Sequence, residues 1–276
     1  MPVLDRLAAT IDRHRSGDWC RTAVPRLGLV AVDASLEPTD MRYEPMVCFV
    51  ADGAKRATAG EREWLTERGE MMLTACDLPI RAEFEKVPYR SAVLLIDGPA
   101  LADVLLAIDG GPDEEPVPSG PATAPMSPEL VDAVTRWVGL LDAPEDIRPL
   151  AAGIEGEILY RLLRGPLGPT LRQWSIADSA VSRVRAATHW ILAHYTEPLT
   201  VAAIAEVAHM SPATLHRHFK AATGMSPLRF QKHLRLQDAR RRLLAGDTTA
   251  AEVARQVGYV SPTQFNREYR RVYGLP

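Results

Sequence analysis

One pattern, written twice between Thr200 and Pro276, constrains this chain of 276 residues more than any other feature. The first copy reads TVAAIAEVAHMSPATLHRHFKAATGMSP and the second TAAEVARQVGYVSPTQFNREYRRVYGLP. In each, a short apolar helical stretch meets a tight turn. Ser-Pro follows, and then a second helix with basic and polar side chains. Two helices joined by so short a turn can set the second one in a DNA major groove. The tandem predicts an all-α module at the C-terminal end.

The local chemistry of the two copies matches. Thr200 caps a helix whose Ile204 and Ala208 face a core, and Ala205 is small enough to admit a neighbouring helix. Ser211 is an N-cap with Pro212 at the first helical position. Leu215 and Phe219, four residues apart, share the buried face. That leaves Ala213, Thr214, His216, Arg217 and Lys220 for DNA, and Gly224 stops the helix. In the second copy Thr249 and Glu252 form a capping box, and Val253, Ala254 and Val257 point inward. The turn, with Gly258, is one residue longer. Ser261-Pro262 starts the helix and Phe265 and Tyr269 bury, leaving Thr263, Gln264, Asn266, Arg267 and Arg270 for DNA. Arginine can read guanine, and Asn or Gln adenine. Between the copies one helix is predicted over Pro227 to Ala245, capped by Ser226 and stopped by Gly246. Its Arg229, Lys232, Arg235, Arg240, Arg241 and Arg242 are expected to hold phosphates. A rigid connector would set two recognition helices about 34 Å apart, one turn of DNA.

Charge follows the same division. From Ile176 onward there are 14 Lys+Arg against 7 Asp+Glu, a net of +7; the preceding residues carry 18 against 28, a net of −10, which together give the chain's −3. A basic module on an acidic one suits nucleic-acid binding by one part. Cys20, Cys48 and Cys76 are too few and too scattered for a disulfide framework. With no signal segment and no long apolar run, the chain reads as cytoplasmic.

Ahead of the tandem, Val3 to His14 is an amphipathic helix. LGLVAVD, YEPMVCFVADG, AKRATAG, EWLTERGEMMLTACD, IRAEFEKV and YRSAVLLIDG follow as short β-rich runs bounded by Gly, Pro and Asp. They predict a jelly-roll or cupin-like barrel with a hairpin at Asp52-Gly53. Helical pattern returns from Pro99 to Asp109. Residues 110–128 read as a surface loop. Helices are expected from Pro128, from Pro144 to Arg164, and from Asp178 to Tyr195, with a hinge at GPLGP (165–169). The expected organisation is α+β. A cupin-like effector and dimerisation domain with flanking helices spans 1–170, and a DNA-binding domain spans 178–276, its two helix-turn-helix units at 200–222 and 249–273.

Residues from Val181 onward resemble the DNA-binding domain of AraC/XylS-family transcriptional regulators. The resemblance rests on Ala205, Met210-Ser211-Pro212, Leu215, Arg217, Phe219, Gly224, Ser226-Pro227, Arg235, Ala239, Leu243-Leu244, Val253-Ala254, Val257-Gly258-Tyr259, Ser261, Phe265, Arg267 and Tyr269. It implies base contacts from Ala213, His216, Arg217, Thr263, Asn266 and Arg267. Ala213 and His216 depart from the larger or amide side chains often found there. The N-terminal part resembles the cupin-like companion domain of one subgroup, through Tyr43-Glu44-Pro45 with Cys48, Gly53-Ala54-Lys55-Arg56, Asp77-Leu78-Pro79 and the run Glu157 to Pro166. The resemblance implies effector sensing, homodimerisation and contact with RNA polymerase. Family members usually continue past the closing Gly-x-x-Pro into a further helix, whereas the given sequence stops at Pro276.

No enzyme activity, cofactor or metal is expected. A cupin metal site needs histidines, and none lies between Arg15 and Thr188. An alkyl-transfer domain would need clustered cysteines, absent here. Cys48 and Cys76 are the candidates for sensing an electrophile or effector, against the plainer reading of buried thiols acting as small hydrophobes. The rival reading makes the N-terminal part only a dimerisation or interaction module. A barrel interior lined by polar groups, rather than filled with aliphatics, favours a bound effector.

Overall fold

Valine, isoleucine, alanine and aromatic residues alternating over long stretches build two strands that carry the N-terminal half. They are β4 (Met46–Ala59) and β7 (Leu78–Leu95) of a computed structural model that describes residues 2–35, 37–108, 120–176, 178–246 and 249–274. They pair antiparallel along most of their length. Around them lie β1 (Trp19–Arg21), β2 (Leu27–Val32), β3 (Thr39–Tyr43), β5 (Arg62–Glu67), β6 (Glu70–Thr74) and β8 (Ala122–Pro125). The main path runs β1-β2-β7-β4-β6-β8, with β3 on β7 and β5 on β4. Because β4 and β7 bend, this one sheet curls into the expected cupin-like barrel.

The sheet's outer face is packed by α1 (Pro2–His14), α2 (Gly98–Ala107), α3 (Pro128–Gly139), α4 (Pro144–Arg164) and α5 (Gly168–Ser175). Leu7, Ile11, Phe49, Trp137 and Ile158 meet there, all fully buried. Buried charges on this side are paired: Arg26 grips Glu155 through two bonds of 2.6 Å, and Arg90 reaches Asp12 and Asp33 at 2.6 and 2.5 Å.

The C-terminal half is all helix: α6 (Ala180–His194), α7 (Val201–Val207), α8 (Pro212–Thr223), α9 (Pro227–Ala245), α10 (Ala250–Gln256) and α11 (Pro262–Tyr273). The inner face of the barrel and the core of α6, α7 and α8 are one continuous apolar cluster. The core of α10 and α11 against α9 is a separate one. Among the described residues, no helix is long and apolar enough to cross a membrane.

Four expectations need correction. Asp52-Gly53 lies inside β4, at a run of register shifts, and not in a hairpin. Gly53 has φ +75°, and a Cβ there would overlap the Lys86 carbonyl and lie 2.5 Å from that of Pro88. The hairpin joining β4 to β5 turns instead at Gly60-Glu61. IRAEFEKV and YRSAVLLIDG form one strand, because the main chain bends there without leaving the sheet. Within the stretch read as a loop, 122–125 pair with β6 as an edge strand, while residues 109–119 lie outside the described residues. GPLGP is packed rather than hinge-like: Leu167 is buried, and a Cβ on Gly168 would strike the Leu163 carbonyl.

Candidate nucleic-acid interface and barrel interior

The helix starts of the C-terminal half form as their cap residues dictate. Thr200, Ser211, Ser226, Thr249 and Ser261 each accept a hydrogen bond from the amide three residues on, satisfying a donor the helix leaves free. The capping box at Thr249 is half made, since Glu252 turns to Arg255. The turns of the two copies match in their bonding. Met210 N donates to Ala205 O at 2.9 Å, and Tyr259 N to Ala254 O at 2.8 Å. The turn places a left-handed residue in each copy, His209 at φ 48° and Gly258 at φ 91°. His209 tolerates the position with its carbonyl accepting from Arg183 Nη1 at 2.8 Å. Glycine is required at 258, where a Cβ would overlap the Thr196 carbonyl. The extra residue of the second turn, Val260, is 99% exposed.

Burial sorts the two second helices as their spacing demands. Leu215, Phe219, Phe265 and Tyr269 face the cores. Ala213, His216, Arg217 and Lys220 are exposed, as are Thr263, Gln264, Arg267 and Arg270, while Thr214 and Asn266 are half-buried. Thr214 accepts from Ser211 Oγ at 2.9 Å. Gln264 Nε2 donates to Glu268 at 3.3 Å, so its amide is drawn back along the helix. Arg217 leans against the His218 ring at 3.1 Å.

The linker helix departs from expectation, because its cations have protein partners. Arg229 pairs with Glu61 at 2.9 Å, Lys232 with Glu268 at 3.0 Å, and Arg240 with Asp40 at 3.3 Å. Arg241 and Arg242 hold Asp238. Arg235 donates to the carbonyls of Tyr195 and Glu197 at 2.6 and 2.8 Å, tying α9 to the end of α6. These side chains are staples first, and two of them, Arg229 and Arg240, bind the barrel. Further contacts reinforce that docking. Arg62 donates to the Ala221 carbonyl, and Gln237 to that of Ile80 at 3.2 Å. Gly60 and Gly224 meet so closely that a Cβ on Gly60 would lie 2.6 Å from the Gly224 carbonyl. The C-terminal end of α8 therefore sits on the barrel while its N-terminal turn stays open.

Two grooves lie between the halves. One of about 650 Å³ runs between β3 and α9, and its Asp40–Arg240 and Asp238–Arg241 charges are already paired. The other, about 510 Å³, is lined by Arg42, Asp77, Arg185 and His189. Burial pushes the Asp77 carboxyl up, with His189 at 3.7 Å pulling the other way. Cys76, next in the chain, is buried and its thiol is pushed up to about 12, so it is uncharged at neutral pH.

Inside the barrel the sequence reading missed a group of residues. Lys55 is 3% exposed, with Nζ 5.1 Å from the Tyr43 ring centroid and 5.2 Å from that of Tyr89. Cys48 Sγ lies 3.5 Å from Tyr89 Oη. Burial drives both phenols up. Burial also works against the charge on Lys55, but the surrounding Tyr43, Tyr89 and Cys48 outweigh it and hold the ammonium above the ordinary value. No local signal in GAKRA marks Lys55 as buried, since its face is decided by the register shifts of β4. Among the described residues, no cluster of His, Cys, Asp and Glu is arranged to hold a metal.

Two capped helix-turn-helix units on one connecting helix, docked to a curled antiparallel sheet, define a two-module helix-turn-helix protein. The profile of the AraC-type transcriptional regulator N-terminus matches residues 23–170, and that of a helix-turn-helix domain matches 204–276. The chain therefore belongs to the AraC-type transcriptional regulators, the AraC/XylS family. It is 28% identical over 151 residues to the HTH-type transcriptional activator RhaS of Salmonella schwarzengrund, covering 54% of this chain and 53% of that protein. Escherichia coli RhaS matches at 27% over 144 residues, covering 52% of this chain and 51% of that one. The chain thus spans about half the length of the relatives it matches. Among solved structures, an apo point variant of ToxT from Vibrio cholerae aligns over 91% of this chain and 95% of its own, with TM-score 0.54 and 9% identity. Wild-type ToxT described as bound to unsaturated fatty acid aligns over 91% and 93%, with TM-score 0.53 and 10% identity. At these identities the likeness is one of fold.

Proposed function

We propose that this chain is a DNA-binding transcriptional regulator and not an enzyme. Its domain of residues 178–276 reads duplex DNA, and its domain of residues 1–170 receives a small-molecule effector. The observation that carries the reading is the pair of exposed recognition-helix starts, with Ala213, Thr214, His216, Arg217 and Lys220 on one and Thr263, Asn266, Arg267 and Arg270 on the other. Each projects from a rigid, capped and stapled helix. Gln264 joins them through reorientation away from Glu268. Arg217 and Arg267 are the strongest base readers, since each can form a two-pronged contact with guanine. RNA polymerase is the proposed protein partner. A second copy of the chain is the other, and α4 exposes Leu150 and Tyr160 on one side for it. A DNA target is in keeping with a cytoplasmic chain.

The barrel interior is chiefly one apolar cluster, and only the small polar group of Lys55, Tyr43, Tyr89 and Ser91 set within it supports an effector over a pure interaction module. Of the two sensing candidates, Cys48 faces that interior beside Tyr89, while Cys76 lies outside it as an uncharged thiol. Arg217→Ala and Arg267→Ala should each weaken operator binding by about 1–3 kcal/mol and relax preference at one base pair. Operator affinity at fixed salt is the measurement, and unchanged affinity in both variants contradicts the reading.

A further inference from the structure

The groove between the β6–β7 turn and α6 holds two opposite charges that do not meet. Asp77 stands in that turn, directly before β7, and Arg185 stands on α6; both line one open space of about 510 Å³. Small-molecule sites run from roughly 300 to 1,000 Å³. Asp77 is 7% exposed. Among the described residues no side chain donates a hydrogen bond to it, and the one cation in contact, His189, stands off at 3.7 Å on a 77% exposed side chain. The Arg185 guanidinium lies 3.9 Å from the centroid of the Trp174 ring. Stacking occupies its face, and among the described residues no oxygen accepts from its N–H edge. Elsewhere at the junction of the two halves the charges are paired, Arg229 with Glu61 and Arg240 with Asp40. Within the groove itself Glu44 already serves Arg21 and Arg42, at 3.5 and 3.8 Å.

The gap between Asp77 and Arg185 is held open by the packing. Trp174 Nε1 donates to Ala75 O at 3.0 Å, so the ring beneath Arg185 is fixed to the same turn that carries Asp77. Burial works against both charges as they stand. It pushes the Asp77 carboxyl up, with His189 opposing, and the Arg185 guanidinium down, with Asp77 opposing. A simple anion in this groove would be repelled by Asp77, and a simple cation by Arg185. A molecule with both charges on neighbouring atoms satisfies the two at once, and Pro45, Ala186 and Leu192 add apolar wall beside them. We propose that this groove binds a free α-amino acid with an apolar side chain. Its carboxylate takes the fork of Arg185, its ammonium sits on Asp77, and its side chain lies along Pro45 and Leu192. The inference rests on the effector reading above; it places the site where the barrel meets α6 and names the ligand class. A route to DNA follows, because Arg183 of the same helix holds the His209 carbonyl in the first helix-turn-helix turn at 2.8 Å. A ligand that ties Asp77 to Arg185 fixes α6, and through it that turn, against the barrel.

The test uses the full chain and four probes. L-Leucine carries both charges, 4-methylpentanoate only the carboxylate, L-leucinamide only the ammonium, and glucose neither. Leucine should raise the melting temperature and bind in calorimetry more tightly than the other three. Arg185→Gln and Asp77→Asn should each weaken leucine by at least about tenfold. The single-charge probes should move the other way: D77N gains affinity for 4-methylpentanoate and R185Q for leucinamide, since each loses a repulsion. Those gains also show that the variants fold. Leucine binding no tighter than both single-charge probes, or undiminished in both variants, overturns the proposal. A response to glucose or a single-charge probe with none to leucine overturns the amino-acid site and leaves the effector reading standing. No response to any of the four overturns both.

Discussion

The two helix-turn-helix copies share caps, turn bonds and buried aromatics, but they do not share surroundings. The first is set into the barrel. Its Leu215 and Phe219 belong to the cluster that lines the barrel's inner face, and its far end rests on the β4–β5 hairpin through Gly60 and Gly224. The second makes its own small core from Val253, Val257, Phe265 and Tyr269 against α9. It touches the barrel at the rim, where Tyr273 stacks under Arg240 at 4.8 Å and near Arg81 at 5.8 Å. Sequence similarity between repeats thus hides a division of labour. One copy is mechanically continuous with the sensing domain, and the other hangs from the connecting helix.

Core truncation should expose the division most strongly. Phe219→Ala and Phe265→Ala each remove a fully buried ring and should cost about 3–5 kcal/mol. Loss of Phe219 should lower the barrel and the first copy together. Loss of Phe265 should create a separate early transition in the second copy. Denaturant melts followed by barrel and helix signals distinguish these, and one shared transition in both variants contradicts the division. The turns give the next effect. Gly258→Ala forces a Cβ into the Thr196 carbonyl at positive φ and should cost about 3 kcal/mol. His209→Gly, at the matching position, should change stability by no more than about 0.5 kcal/mol, as relief of the left-handed strain is offset by a looser unfolded chain. Equal costs would show that the two turns are equivalent after all. The smallest effect is a pH dependence at the α9–barrel contact. His233 is held below the ordinary histidine value, chiefly by burial and also by Arg229 and Arg81. Its folded pKa is depressed, so its contribution is complete above about pH 6.5 and declines as pH falls beneath that value. His233→Gln should flatten that part of the pH–stability curve.

How much was legible follows from how far each feature reaches along the chain. The caps at Ser211, Ser226, Thr249 and Ser261, the stops at Gly224 and Gly246, and the inward faces of both recognition helices were all readable, because each is decided within about four residues. Features decided across the chain were not. Asp52-Gly53 has the local chemistry of a hairpin, and only the β7 backbone pressing on Gly53 makes it a bulge. Arg229 and Arg240 look like phosphate ligands until Glu61 and Asp40 arrive from the barrel. ATAP carries no periodic signal and becomes strand β8 only because β6 offers an edge. Lys55 was hidden most completely, since a single reversal of alternation moves a surface lysine to the centre of a domain.

Hydrogen exchange on the intact chain tests the unequal coupling most directly. Met72 is fully buried in the shared cluster, on the barrel side. Met72→Ala leaves a cavity there without touching either recognition helix's own sequence. The structure predicts faster amide exchange along α8, with α11 unchanged. Equal acceleration of α8 and α11, or of neither, contradicts it.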